Sequence, residues 1–137
     1  MKLTAKVKLL TTQEQHDYLL QTLECANVAC GWISQQAWEH RTFRQFDLHK
    51  RVYADVRIRY GLAAQAAVRC ISKVADAYKK DKRAQRVFQP HGGIAYDDRI
   101  LNWRLPDQQV SIWSISGRLS IPFAAGERQL ELLKNQQ

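Results

Sequence analysis

The chain has 137 residues, 45% of them apolar and 25% charged. At about 150 residues per domain this is one domain, able to bury roughly two-thirds of its unfolded surface, and its composition excludes a disordered polymer. No uncharged apolar run approaches the ~18 residues of a membrane-spanning helix. Met1–Lys6 carries no secretory signal, and three cysteines, an odd number, exclude a disulfide-rich secreted scaffold. The expected setting is the cytoplasm, or the nucleoid if the protein is bound to DNA. The formal net charge is +8, and its location is informative: residues 41–89 carry thirteen basic and four acidic side chains, whereas residues 1–40 carry three and four, and residues 90–137 five and five. A concentrated basic segment is an electrostatic footprint for a polyanion, most often nucleic acid; a solvated basic surface is the alternative.

In chain order, residues 2–9 alternate, with Leu3, Ala5, Val7 and Leu9 on one face and Lys2, Thr4, Lys6 and Lys8 on the other. This is the period of a half-buried strand. Its lysine face either meets phosphate or protects a sheet edge. Thr12-Gln13-Glu14-Gln15 has the capping-box form and starts a helix running to about Glu39. Leu19, Leu23, Ala26, Cys30, Ile33 and Ala37 form its apolar stripe, and Gly31 weakens its middle. A second helix is predicted at about 45–59, with Leu48, Val52 and Val56 inward and Lys50, Arg51, Arg57 and Arg59 around the rest. After Gly61 a third helix runs from about 63 to 80. Ala66, Cys70, Val74 and Ala77 form its buried stripe, and Arg69, Lys73, Asp76 and Lys80 a separate, mostly basic row.

Beyond Tyr78 the texture changes. Residues 79–86 carry five positive charges and one negative. Short apolar runs then follow at 87–88, 94–96, 100–103, 110–115 and 118–123, separated by turn residues such as Pro90, Gly92-Gly93 and Ser116-Gly117. They predict about five short antiparallel strands. A lone first strand cannot stand as a sheet, so residues 2–10 are expected to pair with strands in 86–123. The predicted fold class is α+β: a small antiparallel oligonucleotide-binding-like β-barrel with a three-helix insertion after its first strand. The barrel comprises residues 1–11 and 81–125 around Trp103, Ile112, Ile115, Leu119 and Ile121. Residues 12–80 form the helical subdomain, and residues 126–137 a tail containing a short helix.

No catalytic constellation is expected. His16-Asp17 is an isolated pair that lacks the further ligands a metal site needs, and His40 and His49 fall in no pattern. Cys25, Cys30 and Cys70 form no Cys-x-x-Cys and read as small buried hydrophobes. His91-Gly92-Gly93 lacks the pattern of a phosphate-cradling loop, and Asp97-Asp98 reads as a turn. No metal or other cofactor is predicted. The binding signal lies at the third helix, whose start offers free N–H groups and the positive end of the dipole. Gln65, in its first turn, either contacts adenine in a major groove or faces water. Lys50, Arg57, Arg69, Lys73, Lys79, Lys80, Lys82 and Arg83 are the candidates for contact with the nucleic-acid backbone.

At these residues the sequence resembles a known family. Trp38-Glu39-His40, Tyr60-Gly61-Leu62-Ala63-Ala64-Gln65-Ala66-Ala67-Val68-Arg69, Ala77-Tyr78-Lys79, Phe88-Gln89-Pro90 and Gly117-Arg118-Leu119-Ser120-Ile121-Pro122-Phe123 occur in the order and at about the distances found in the N-terminal part of TnpB (OrfB-type) proteins. These insertion-sequence, transposase-associated proteins are RNA-guided DNA endonucleases similar to small type V CRISPR effectors. The resemblance covers nearly the whole chain. It implies an oligonucleotide-binding-like wedge barrel carrying an inserted helical recognition domain. It also implies guide RNA and a short double-stranded DNA motif as partners. The family's glutamine that contacts the motif matches Gln65, although the family's Leu-Pro-Ser/Ala-Gln stands here as Leu62-Ala63-Ala64-Gln65. Tyr96 and Asp97 align with other motif-reading residues. Cleavage in the family belongs to a RuvC-type domain further along. Since the chain ends at Gln137, it is expected to be a fragment, a truncated product or a free-standing module without enzymatic activity, with the nuclease in a separate domain or protein. A helix-turn-helix DNA-binding regulator that reads with the third helix is the alternative. A small metal-dependent nuclease using His16, Asp17 and other acids is a third reading.

Overall fold

Thr12 opens the longest helix as the sequence requires. The Gln15 amide donates to Thr12 Oγ1 at 3.1 Å, and the Thr12 amide donates to Gln15 Oε1 at 3.0 Å, the reciprocal pairing of a capping box. In the computed structural model, which describes residues 4–135, this helix α1 spans Gln13–His40, and Arg41 closes it in the left-handed conformation with φ 50°. Gly31 does not break it. α2 spans Gln45–Tyr60 and ends on Gly61 at φ 64°, and α3 spans Ala64–Lys80. The α3 stripe is two residues wide: Ala66 and Ala67, Cys70 and Ile71, Val74 and Ala75, then Tyr78 are buried. Ala77, expected inside, is only half-buried and lines a surface groove instead. The three helices pack around Ile33, Leu48, Val52, Val56, Ile71 and Val74.

The strands β1 (Lys8–Leu9), β2 (Leu101–Arg104), β3 (Gln109–Ser114) and β4 (Gly117–Ala124) form one antiparallel sheet in the order β1-β4-β3-β2. The first strand does pair with the late strands, with Leu9 opposite Phe123 and Lys8 opposite Ala124. The ladder covers two residues rather than nine, and Lys2 and Leu3 lie outside the described residues. In residues 4–9 the alternation persists, with Ala5, Val7 and Leu9 half-buried and Thr4, Lys6 and Lys8 exposed. Trp103, Ile112, Leu119 and Ile121 share one face of the sheet and pack with Phe123, Leu19 of α1, and Leu130 and Leu133 of α4 (Glu127–Asn135).

Three expectations are corrected here. The barrel does not close, because β1 and β2 are opposite edges of an open sheet. The strands expected at 87–88 and 94–96 do not form: Phe88 and Ile94 pack on the helical core and Tyr96 on the sheet core, so these residues run between the two cores instead of extending a ladder. Ile115 is not a core residue. It sits in the Ser114–Gly117 turn, 40% exposed.

The return from α3 is held by the fully buried Tyr78. Its hydroxyl lies 2.8 Å from Ser34 Oγ on α1 and accepts the Arg86 amide at 3.1 Å, while Ser34 Oγ donates to the Arg86 carbonyl at 2.6 Å. Removing one member of such a buried network leaves the others without partners. Tyr78→Phe should therefore lower unfolding stability by about 1–3 kcal/mol in urea titrations, and an unchanged midpoint would show that the segment is anchored elsewhere.

Candidate nucleic-acid interface

α3 and residues 86–95 enclose an open groove of about 550 Å³, lined by Arg69, Lys73, Lys80, Arg86 and Phe88, with Asp76 the single acid on its wall. The far wall is built from the inside. Asn27, buried on α1, donates through its amide to the carbonyls of Leu23 (2.9 Å), Pro90 (3.2 Å) and Gly92 (2.9 Å). Its Oδ1 accepts Lys73 Nζ at 2.8 Å, and that ammonium also donates to the Gly93 carbonyl at 2.9 Å and lies 5.3 Å over the Phe88 ring. Gly92 eases this close approach: a Cβ there would crowd the Gln89 carbonyl oxygen at 3.3 Å and touch Asn27 Oδ1 at 3.5 Å. Lys73, expected to contact phosphate, also has a structural part, since its hydrogen bonds shape the groove.

Gln65 and Asp97 are brought together with Arg69 at one end of this row. Arg69 Nη2 lies 3.6 Å from Asp97 Oδ2, and its buried Nε has no partner. Arg99 Nη1 donates to Gln65 Oε1 at 2.9 Å, and the Arg99 amide donates to Asp97 Oδ1 at 3.0 Å. Partial burial pushes the Asp97 carboxyl up, but the Arg99 amide, the Gln65 amide and the charges of Arg69 and Arg99 outweigh it and hold the carboxyl below the ordinary carboxylate range. Tyr96 faces inward. Its hydroxyl donates to the Trp113 carbonyl at 2.9 Å, and burial pushes the phenol up to about 12. In this arrangement the hydroxyl is engaged within the protein.

The cationic surface continues past Arg99 onto the polar face of the sheet. Arg118 donates to the Arg99 carbonyl (3.2 Å) and to Ser111 Oγ (2.8 Å), and Arg99, Arg104 and Arg118 border a depression of about 490 Å³. With its amide turned to satisfy both groups, Asn102 donates to the Asp98 carbonyl and accepts from Arg118. Among the described residues none of these three arginines is in a salt bridge. The sequence reading missed them because five acids cancel five bases over residues 90–137. The available signal was the strand period, which puts Asn102 and Arg104, and Arg118 and Ser120, on the face opposite the apolar residues.

The remaining candidates are scattered. Lys80 lines the groove, Lys79 lies 3.9 Å from Asp76, Lys82 is exposed, and Arg83 pairs with Asp81 at 3.1 Å. Lys50 and Arg57 lie on α2, away from the groove. Lys50 sits over Phe46, and Arg57 Nε donates to the Leu62 carbonyl at 3.3 Å. His16 and Asp17 are an exposed pair 3.6 Å apart, and the described residues hold no group of three or more His, Cys, Asp or Glu side chains arranged for a metal. Cys30 and Cys70 are buried between α1 and α3, and all three cysteines are free thiols. Comparison with known protein families, curated proteins and solved structures returns no match to the chain.

Lys73 and Lys80 occupy one row but differ in role, and stability separates them. Lys73→Ala should cost about 1.5–3 kcal/mol, the range for hydrogen bonds to a charged group. Lys80→Ala should stay within about 0.5 kcal/mol of wild type, as surface substitutions do. Equal urea midpoints for the two variants would contradict the structural role of Lys73.

Proposed function

We propose that the chain is a nucleic-acid-binding module of a TnpB-like protein, holding guide RNA and a short duplex DNA motif, with cleavage left to a separate RuvC-type nuclease domain or protein. The observation that carries this reading is the succession of cations along one surface: Lys80, Arg86 and Arg69 around the groove, then Arg99, Arg118 and Arg104 on the sheet. Arginine is well suited to phosphate because its planar fork can donate two parallel bonds. Phe88 adds an aromatic surface in the groove, and basic grooves with aromatic faces suit single strands.

The order of one strand, three helices and three further strands in one sheet supports the element order that the family resemblance implies, although the sheet is open where the family's barrel is closed. Gln65 stands at the start of α3 beside Arg69, where a base-edge reader would be flanked by a backbone contact. No described helix is long and apolar enough to cross a membrane.

Fluorescence anisotropy with single-stranded RNA and duplex DNA over a salt series tests this reading. Affinity should fall linearly in log–log form as salt rises, because phosphate contacts release counterions. Replacing Lys79, Lys80, Lys82 and Arg83 together with alanine should flatten the slope by about 0.9 for each phosphate that these side chains neutralise in the wild type. Gln65→Ala should relax preference at one base pair by about 1–3 kcal/mol and leave the slope in place. A salt-independent or absent affinity for both polymers would contradict the function, and strong binding restricted to duplex DNA would favour the helix-turn-helix regulator.

A further inference from the structure

Resting on that reading, we infer that Asp97 is an internal substitute for a nucleic-acid phosphate: in the unbound protein its carboxylate occupies the place on Arg69 that a phosphate takes on binding, and the same network holds Gln65 closed. Three features of the cluster support this. The Arg69–Asp97 pair is loose. The closest approach is 3.6 Å, the Arg69 side chain is 38% exposed, and its buried Nε donates to nothing. A guanidinium fork facing one oxyanion normally makes two short bonds, so Arg69 holds its partner by charge with little of its hydrogen-bonding capacity, and such half-exposed pairs are weak.

Asp97 does not depend on Arg69. The Arg99 amide donates to its Oδ1 at 3.0 Å, so the carboxylate keeps a partner when the guanidinium turns away. The exchange of one oxyanion for another therefore leaves no buried charge bare.

Gln65 is engaged in the same network. Its Oε1 accepts Arg99 Nη1 at 2.9 Å, so the group expected to reach a base edge is occupied until Arg99 moves. Arg99 also donates its amide to Asp97, and its carbonyl accepts Arg118 from the sheet. A ligand that draws Arg69 and Arg99 onto phosphates thus frees Gln65 in the same step. A polyanion that offers charge without the correct base edge leaves Asp97 on Arg69 and gains no phosphate contact there. The carboxylate in this way lowers indiscriminate affinity and favours ligands that satisfy both groups.

The test is the salt dependence of binding to a fluorescein-labelled duplex of random sequence, measured for wild type and four variants. Asp97→Asn keeps an oxygen for the Arg99 amide and removes the negative charge that faces Arg69. It should steepen the slope by about 0.9 and raise affinity roughly five- to tenfold at 0.1 M salt, the change that one additional phosphate contact produces over a decade of salt. In an Arg69→Gln background, itself measured alone, the same change should have no effect on the slope, because the cation it frees is gone. Asp98→Asn, which removes the neighbouring exposed carboxylate, should leave the slope at the wild-type value. The inference is overturned if Asp97→Asn binds like wild type or more weakly, if Asp98→Asn gives the same gain, or if the gain persists without Arg69. A change in base-pair preference at constant slope would make Asp97 a base reader and also overturn it. Absence of binding by every protein would overturn the proposed function together with this inference, whereas a salt-dependent wild type with an inert Asp97→Asn overturns the inference alone.

Discussion

One buried carboxamide organises the groove between α3 and residues 86–95. Asn27, midway along α1, gives its amide to three carbonyls and its oxygen to Lys73. Two of the carbonyls belong to Pro90 and Gly92, so a helix interior is tied directly to an irregular segment. That segment has no strand ladder, and buried backbone groups without partners are costly. Asn27 and Lys73 supply the missing partners, fix the distance between α3 and residues 89–93, and so create the groove. Lys73 thus stands as a positive charge in the groove lining because the fold needs it there.

The charge distribution around that anchor differs in kind from the net charge. Asp81 is engaged with Arg83 and Arg86, and Asp97 with Arg69. The arginines on the polar face of the sheet remain without acidic partners among the described residues, with Arg118 oriented by Ser111 and the Arg99 carbonyl. On the proposed reading, a phosphate arriving there would meet a guanidinium that is already oriented at Arg118, which reduces the ordering cost of the contact. Lysines on the 79–83 segment are exposed point charges on long stems by comparison, suited to attraction at a distance more than to position.

The helices were legible because their signals are local. The capping box at Thr12, the glycine stop at Gly61 and the stripes at spacings of three and four need no distant partner, and the helix bounds fall within one or two residues of expectation. The strand region was legible only where a hairpin enforces it. Ser116-Gly117 predicted the β3–β4 turn correctly, but the short apolar runs at 87–88 and 94–96 have the same composition as strands while Phe88 and Ile94 pack on one core and Tyr96 on the other. The internal bonds of Lys73 were not legible for a related reason: its partner Asn27 lies 46 residues away in sequence, and spacing along α3 carries no information about it. Arg99, Arg104 and Arg118 were hidden by adding charges over a segment whose acids and bases face different ways. Pairing Gln65 with Asp97 came from the family resemblance, and the spatial cluster they form with Arg69 and Arg99 is visible only in three dimensions.

If one continuous surface, from the α3 groove to the sheet arginines, holds nucleic acid, ultraviolet cross-linking of the protein to a labelled oligonucleotide, followed by peptide mapping, will trace it directly. Adducts are expected at Phe88 in the groove and within the peptides carrying Arg99, Arg104 and Arg118. Adducts confined to α2, where Phe46 stands exposed beside Lys50, or no adducts at all, would contradict a binding surface at this place.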